Sequence, residues 1–191
     1  MEQLPAGISK KYWDHMVAIY RSGEAQQQLD AFNAEILALI NAKTDWLGSV
    51  LKCHLIIEHY MDQYLHMAYP TMVNIRKARL TFSQKLEMIN NPQTLSQFYC
   101  LSIKSLNSLR NKFAHRISYS VIDEDLSEIK RFMNTWDDAL GEARQEGLAL
   151  LSRFTLFVCG DLNTTTRQIE KQGNGFGLPG YLNWLKDMGE G

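Results

Sequence analysis

The chain has no apolar run of the length that a membrane span or a secretory leader requires. Its first residues, MEQLPAGISKKYW, hold no hydrophobic stretch, and the most apolar late segment, Leu148 to Cys159, is interrupted by Arg153 and too short to cross a bilayer. Cysteine is sparse. Cys53, Cys100 and Cys159 are odd in number and far apart, and no pair has zinc-ligand spacing. These absences lead to the expectation of a soluble protein in a reduced, cytoplasmic compartment, with no membrane partner. Net charge is also nearly absent, at −1, so the molecule as a whole is not a generic nucleic-acid binder. There is no β-hairpin signal and no internal repeat. The glycine-rich end, GNGFGLPG, is not a dinucleotide fingerprint, because no strand precedes it and its spacing is wrong. No cofactor motif is present.

What the chain does hold is helical periodicity and enough apolar material, 45% of 191 residues, for one sizeable core. The expected fold class is all-α, an antiparallel helical bundle. Residues 1–23 read as a leader with a short helix from about Ser9 to Tyr20, broken by Gly23. Residues 24–171 read as the bundle, and residues 172–191 as a Gly-rich C-terminal tail or loosely docked arm. Within the bundle a helix runs from about Ala25 to Ala42, and Thr44 or Asp45 caps a longer one that ends at Ala68 before Pro70. Thr81-Phe82-Ser83-Gln84 is a capping box opening a short helix that stops at Asn90-Asn91, and Thr94-Leu95-Ser96-Gln97 repeats the pattern before the next. Asp123 caps a helix over about 124–141, and a last one spans about 143–171 if Gly147 and Gly160 are tolerated.

The helix that opens near Thr94 ends in Arg110-Asn111-Lys112-Phe113-Ala114-His115. On an ideal helix Leu95, Phe98, Leu106, Leu109 and Phe113 form a stripe ~80° wide, which predicts the core side. Asn111 then points away from it, flanked by Arg110 and His115 ~140° from each other, with Lys104 on the same polar side. These polar residues are expected to face solvent or a second subunit, with either Arg110 curling round on its long stem or the helix ending near Ala114, where Arg116-Ile117-Ser118 would mark the end. The charge is concentrated here. Between Gln63 and Ile122 there are eight Lys or Arg and one acid, Glu87, a local excess of +7 that suits an anionic partner.

RNKFAH resembles the Arg-x4-His signature of the HEPN superfamily, in which a polar residue, often asparagine, follows the arginine. The resemblance implies an α-helical bundle of HEPN type with extra N- and C-terminal helices. It implies a metal-independent endoribonuclease of toxin or defence type, working as a homodimer on RNA, with a cognate antitoxin or regulatory protein as a further partner. Non-cleaving relatives exist, so a non-catalytic RNA-binding, regulatory or dimerisation module is the alternative. Carried onto this chain, Arg110, Asn111 and His115 are the catalytic candidates, with no metal and no cofactor. His115 is the acid/base, since imidazole is the one side-chain type in the motif that ordinarily titrates near neutrality. Arg110 clamps the phosphoryl oxygens, and Asn111 orients His115 or holds a phosphate oxygen. Lys104, Lys112 and Arg116 are the RNA-binding candidates.

Glu58 is the accessory candidate. It lies with His54 in the apolar stripe Leu47, Val50, Leu51, Ile57, Met61, Leu65 and Ala68 of the preceding long helix. A carboxylate there needs a partner, and the sequence offers a pair with His54 or a bridge to Arg110. His54-Leu55-Ile56-Ile57-Glu58-His59 is not a zinc motif, because its histidines are five residues apart rather than four.

Overall fold

The structure is a computed structural model. It describes residues 10, 13–14, 17–18, 23–40, 45–72, 78–91, 94, 96–116 and 119–189. All regular structure among them is helical: α1 Gly23–Ile40, α2 Trp46–Ala68, α3 Phe82–Ile89, α4 Ser96–His115, a 3-10 turn Asp123–Leu126, α5 Ser127–Leu140, α6 Gly147–Gln172 and α7 Leu178–Gly189. None of these helices is long and apolar enough to cross a membrane. Most of the expected leader helix, and Thr44, Arg76, Lys77 and Leu95, lie outside the described residues.

Local chemistry sets the helix starts. Asp45 caps α2 by accepting the Gly48 N–H at 2.9 Å. Thr81 and Gln84 form the full capping box on α3. The second expected box is different. The Thr94 hydroxyl bonds Ser96 Oγ and the Asn91 carbonyl, and Ser96 Oγ accepts the Asn91 N–H, so α4 begins at Ser96. Asp123 does not cap a helix but opens the 3-10 turn, and α5 ends at Gly141 in the left-handed region, φ 70°.

The longest helices, α2 and α6, share the largest contact and form the centre of the core. Val50, Cys53, Ile57 and Met61 of α2 are fully buried, as are Phe154, Val158 and Cys159 of α6. Leu47, expected in the α2 stripe, is instead exposed. Arg153, which interrupts the apolar run of α6, pairs with buried Asp137 of α5 at 2.7 Å and with Glu142. Trp13, from the leader, is buried edge-on against Trp136. The Gly-rich end is built in rather than trailing. Residues 178–189 form α7, and its Leu178 and Tyr181 are buried. Gly177 makes that docking possible: its φ is +64°, and a Cβ there would sit 2.5 Å from the Ala68 carbonyl oxygen. All three cysteines are free and buried, and burial pushes the Cys100 thiol up to about 12.

One buried carboxyl links α4 to α6. Asp161 of α6 accepts the Tyr99 hydroxyl of α4 at 2.8 Å, while its other oxygen and the nearby Tyr64 hydroxyl have no partner among the described residues. Burial pushes the Asp161 carboxyl up to about 6, against the opposing pull of the Tyr99 hydrogen bond. A folded value above the ordinary 3.8 favours folding most at low pH, and that contribution, roughly 3 kcal/mol, is lost as pH rises through about 6. Asp161→Asn, uncharged throughout, is expected to hold its stability between pH 5 and 7 where the native protein declines. Denaturant unfolding at both pH values checks this, and identical pH dependence in the two proteins contradicts it.

Candidate functional site

The rotational setting of α4 decides what the motif presents. Leu106 and Leu109 are buried and Phe98 and Phe113 are packed against the core, as the apolar stripe predicts. Tyr99 and Ile103 are buried too, so the core side reaches ~60° further round the helix, and Cys100 and Ser102 are also enclosed. Arg110 continues the row Tyr99, Ile103, Leu106 and is half-buried, whereas Asn111 and His115 are exposed. The expectation that all three face outward is corrected for Arg110. The stripe of leucines and phenylalanines stopped short of it, and the long stem of arginine packs while its head stays polar.

The guanidinium turns back along the surface, and Arg110 Nη1 donates to Asn111 Oδ1 at 3.1 Å. Behind it, His54 of α2 is buried, stacked on Phe82 with ring centroids 4.0 Å apart, and its Nε2 lies 3.0 Å from Asn107 Oδ1. An amide oxygen only accepts, so His54 carries its proton on Nε2 and donates. Burial pushes His54 below its ordinary value, the Asn107 bond and Glu58 oppose this, and the Arg110 charge adds to the depression. The imidazole is therefore neutral at pH 7.

Glu58 takes neither partner the sequence offered. Its carboxylate accepts Lys85 Nζ of α3 at 2.8 Å, and Lys85 also pairs with Asp62 at 2.9 Å. Sequence separation concealed this, because Lys85 lies 27 positions away. Asn107 was also missed. Its signal was its place one turn before Arg110 and Asn111 on the same helix.

The remaining basic candidates are engaged. Lys104 pairs with Glu87 at 2.6 Å, both exposed. Lys112 pairs with Asp125 at 2.5 Å, and Arg116 lies over the Tyr119 ring at 5.8 Å. The +7 of the central segment is thus partly cancelled by carboxylates brought from outside it. Arg110 and His115 bind no carboxylate among the described residues. No group of three or more His, Cys, Asp or Glu among those residues is arranged to hold a metal. No family model matches the chain, and no curated protein and no solved structure is found to be similar to it.

Asp125 anchors the far end of the site. It is buried and accepts Lys112, the Tyr119 hydroxyl at 2.6 Å and the Ile122 N–H at 2.9 Å. Burial works against its charge, but those three donors hold the carboxyl below its ordinary value. Its contribution to stability is present above the unfolded value of about 3.8 and is lost as pH falls through the folded one. Asp125→Asn is expected to cost roughly 1–3 kcal/mol at pH 7, read by urea denaturation, and to speed amide exchange in the last turn of α4. A variant as stable as the native chain rules out this anchoring role.

Proposed function

We propose that this chain is a metal-independent endoribonuclease of HEPN type, in which α4 of one copy faces α4 of a second. The observation that carries it is selective pairing. Lys104 and Lys112 are spent on carboxylates, while Arg110 keeps its charge and binds only the Asn111 amide among the described residues. An arginine that meets no carboxylate among the described residues is a resource for an external anion. The exposed row Leu101, Lys104, Ser108, Asn111 and His115 recurs at alternating three- and four-residue spacing, which suits a second helix of the same kind. Leu101, 53% exposed, gives that row an apolar anchor.

RNA carries its nucleophile, the 2′-hydroxyl next to the scissile phosphate. A His115 imidazole removes that proton, and an imidazole protonates the leaving 5′-oxygen. Arg110 stabilises the charge that builds on the phosphoryl oxygens, and Asn111 supplies an amide donor beside it. The products are a 2′,3′-cyclic phosphate and a 5′-hydroxyl. DNA lacks the nucleophile and stays intact.

The second reading is a non-catalytic RNA-binding, regulatory or dimerisation module of the same fold. The neutralised lysines favour it, because little basic surface is left to hold a long RNA. Incubation of the purified protein with RNA in EDTA separates the two. Native protein is expected to cut, and Arg110→Ala and His115→Ala to lower the rate by roughly a hundredfold or more with helical content unchanged. RNA that stays whole with native protein, or is cut equally by both variants, sinks the nuclease.

A further inference from the structure

Asn107 and Asn111 sit one turn apart on α4 with Arg110 between them, and both carboxamides are held the same way round. Asn107 Oδ1 is taken by His54 Nε2 at 3.0 Å, and Asn111 Oδ1 by Arg110 Nη1 at 3.1 Å. Each amide oxygen is thus engaged, and neither NH2 group has a hydrogen-bond partner among the described residues. Glu58 of α2 is turned to Lys85. What the side chains add at this surface is a guanidinium and two NH2 groups, donors whose partner oxygens are already engaged.

We propose that Asn107 joins Arg110 and Asn111 in an oxyanion-binding surface, oriented by the buried imidazole of His54, and that its ligand is a phosphate of an RNA backbone. The proposal rests on the nuclease reading only for the identity of the nucleic acid. A carboxamide free to rotate must first be turned NH2-outward by the anion, because its oxygen repels the ligand. Fixing Oδ1 inward removes the repelling orientation before the ligand arrives. His54 suits the task because stacking on Phe82 fixes its ring and Nε2 must donate to reach an oxygen. His54 is thus a positioning residue, and Asn107 a binding residue.

The test uses the full chain and a short RNA whose 2′-hydroxyls are all methylated, so that it binds without being cut, followed by fluorescence anisotropy. Asn107→Asp replaces the NH2 by a charged oxygen of the same shape and is expected to weaken binding about tenfold or more. Asn107→Ala, expected to weaken it about threefold to tenfold, serves if the charged variant does not fold. His54→Leu leaves Asn107 free to turn and is expected to weaken binding. His54→Gln keeps an NH2 near the Nε2 position and is expected to restore it. Equal affinity of Asn107→Ala and native protein overturns the proposal, as does a His54→Gln variant no better than His54→Leu. Native protein that binds inorganic phosphate but not the oligonucleotide overturns the assigned ligand, and native protein that binds neither overturns the surface. Binding lost in the Asn107 variants while unmodified RNA stays whole keeps this surface and removes the nuclease. RNA cut with an unchanged KM in Asn107→Asp does the reverse.

Discussion

The hydrogen bond from Tyr99 to Asp161 fixes more than its own neighbourhood. It ties α4 to α6 through a buried carboxyl and so sets the rotation of α4 about its axis. Once Tyr99 and Ile103 point inward, helical periodicity brings Leu106 and then Arg110 to the same side, and Asn107 onto His54. At the other end Asp125 collects Lys112, Tyr119 and the Ile122 backbone, which holds the last turn of α4 against the segment that follows. Between these two anchors the orientation of the motif residues is not free to adjust. A carboxyl that buries at a cost in one place and a carboxylate that draws three donors in another jointly determine which groups reach the surface.

The charge pattern shows how far a linear count carries. The segment from Gln63 to Ile122 is strongly basic along the chain, yet the fold supplies Glu58, Asp62 and Asp125 from other segments to meet Lys85 and Lys112. Lys104 finds the segment's own acid, Glu87. The pairs differ in consequence. Lys104–Glu87 is exposed at both ends and adds little to stability, whereas Asp125 is buried and breaking its pair with Lys112 is costly. Sequence counting treats all three lysines alike.

Legibility followed the range of the interaction. The Asp45 cap and the Thr81–Gln84 box involve atoms three residues apart, so they were readable from the chain alone. The partner of Glu58 was not, because choosing Lys85 over His54 or Arg110 requires knowing where α3 packs. The glycines of GNGFGLPG were visible, but flexible and closely packed glycines look alike in sequence. Only the approach of Gly177 to Ala68 tells the second from the first. The core side of α4 was misjudged for a related reason. Counting leucines and phenylalanines gave no weight to Tyr99, whose hydroxyl has a buried partner and whose ring is wholly enclosed.

An anion site at this position works against the helix that carries it. Arg110 and Asn111 lie in the last two turns of α4, where unpaired carbonyls give the helix end a partial negative charge. Backbone N–H groups, the ordinary means of holding a phosphate at a helix, are at the opposite end. The donors must therefore come from side chains, and their number and orientation have to outweigh the carbonyl field. One half-buried arginine supplies the charge, in surroundings less polar than water and so less screened. Two carboxamides with their oxygens committed elsewhere add donors without adding repulsion. That balance explains why a residue as distant from solvent as His54 matters to the surface: if its proton did not hold the Asn107 oxygen, one of the few donors available at the wrong end of the helix could turn an acceptor outward.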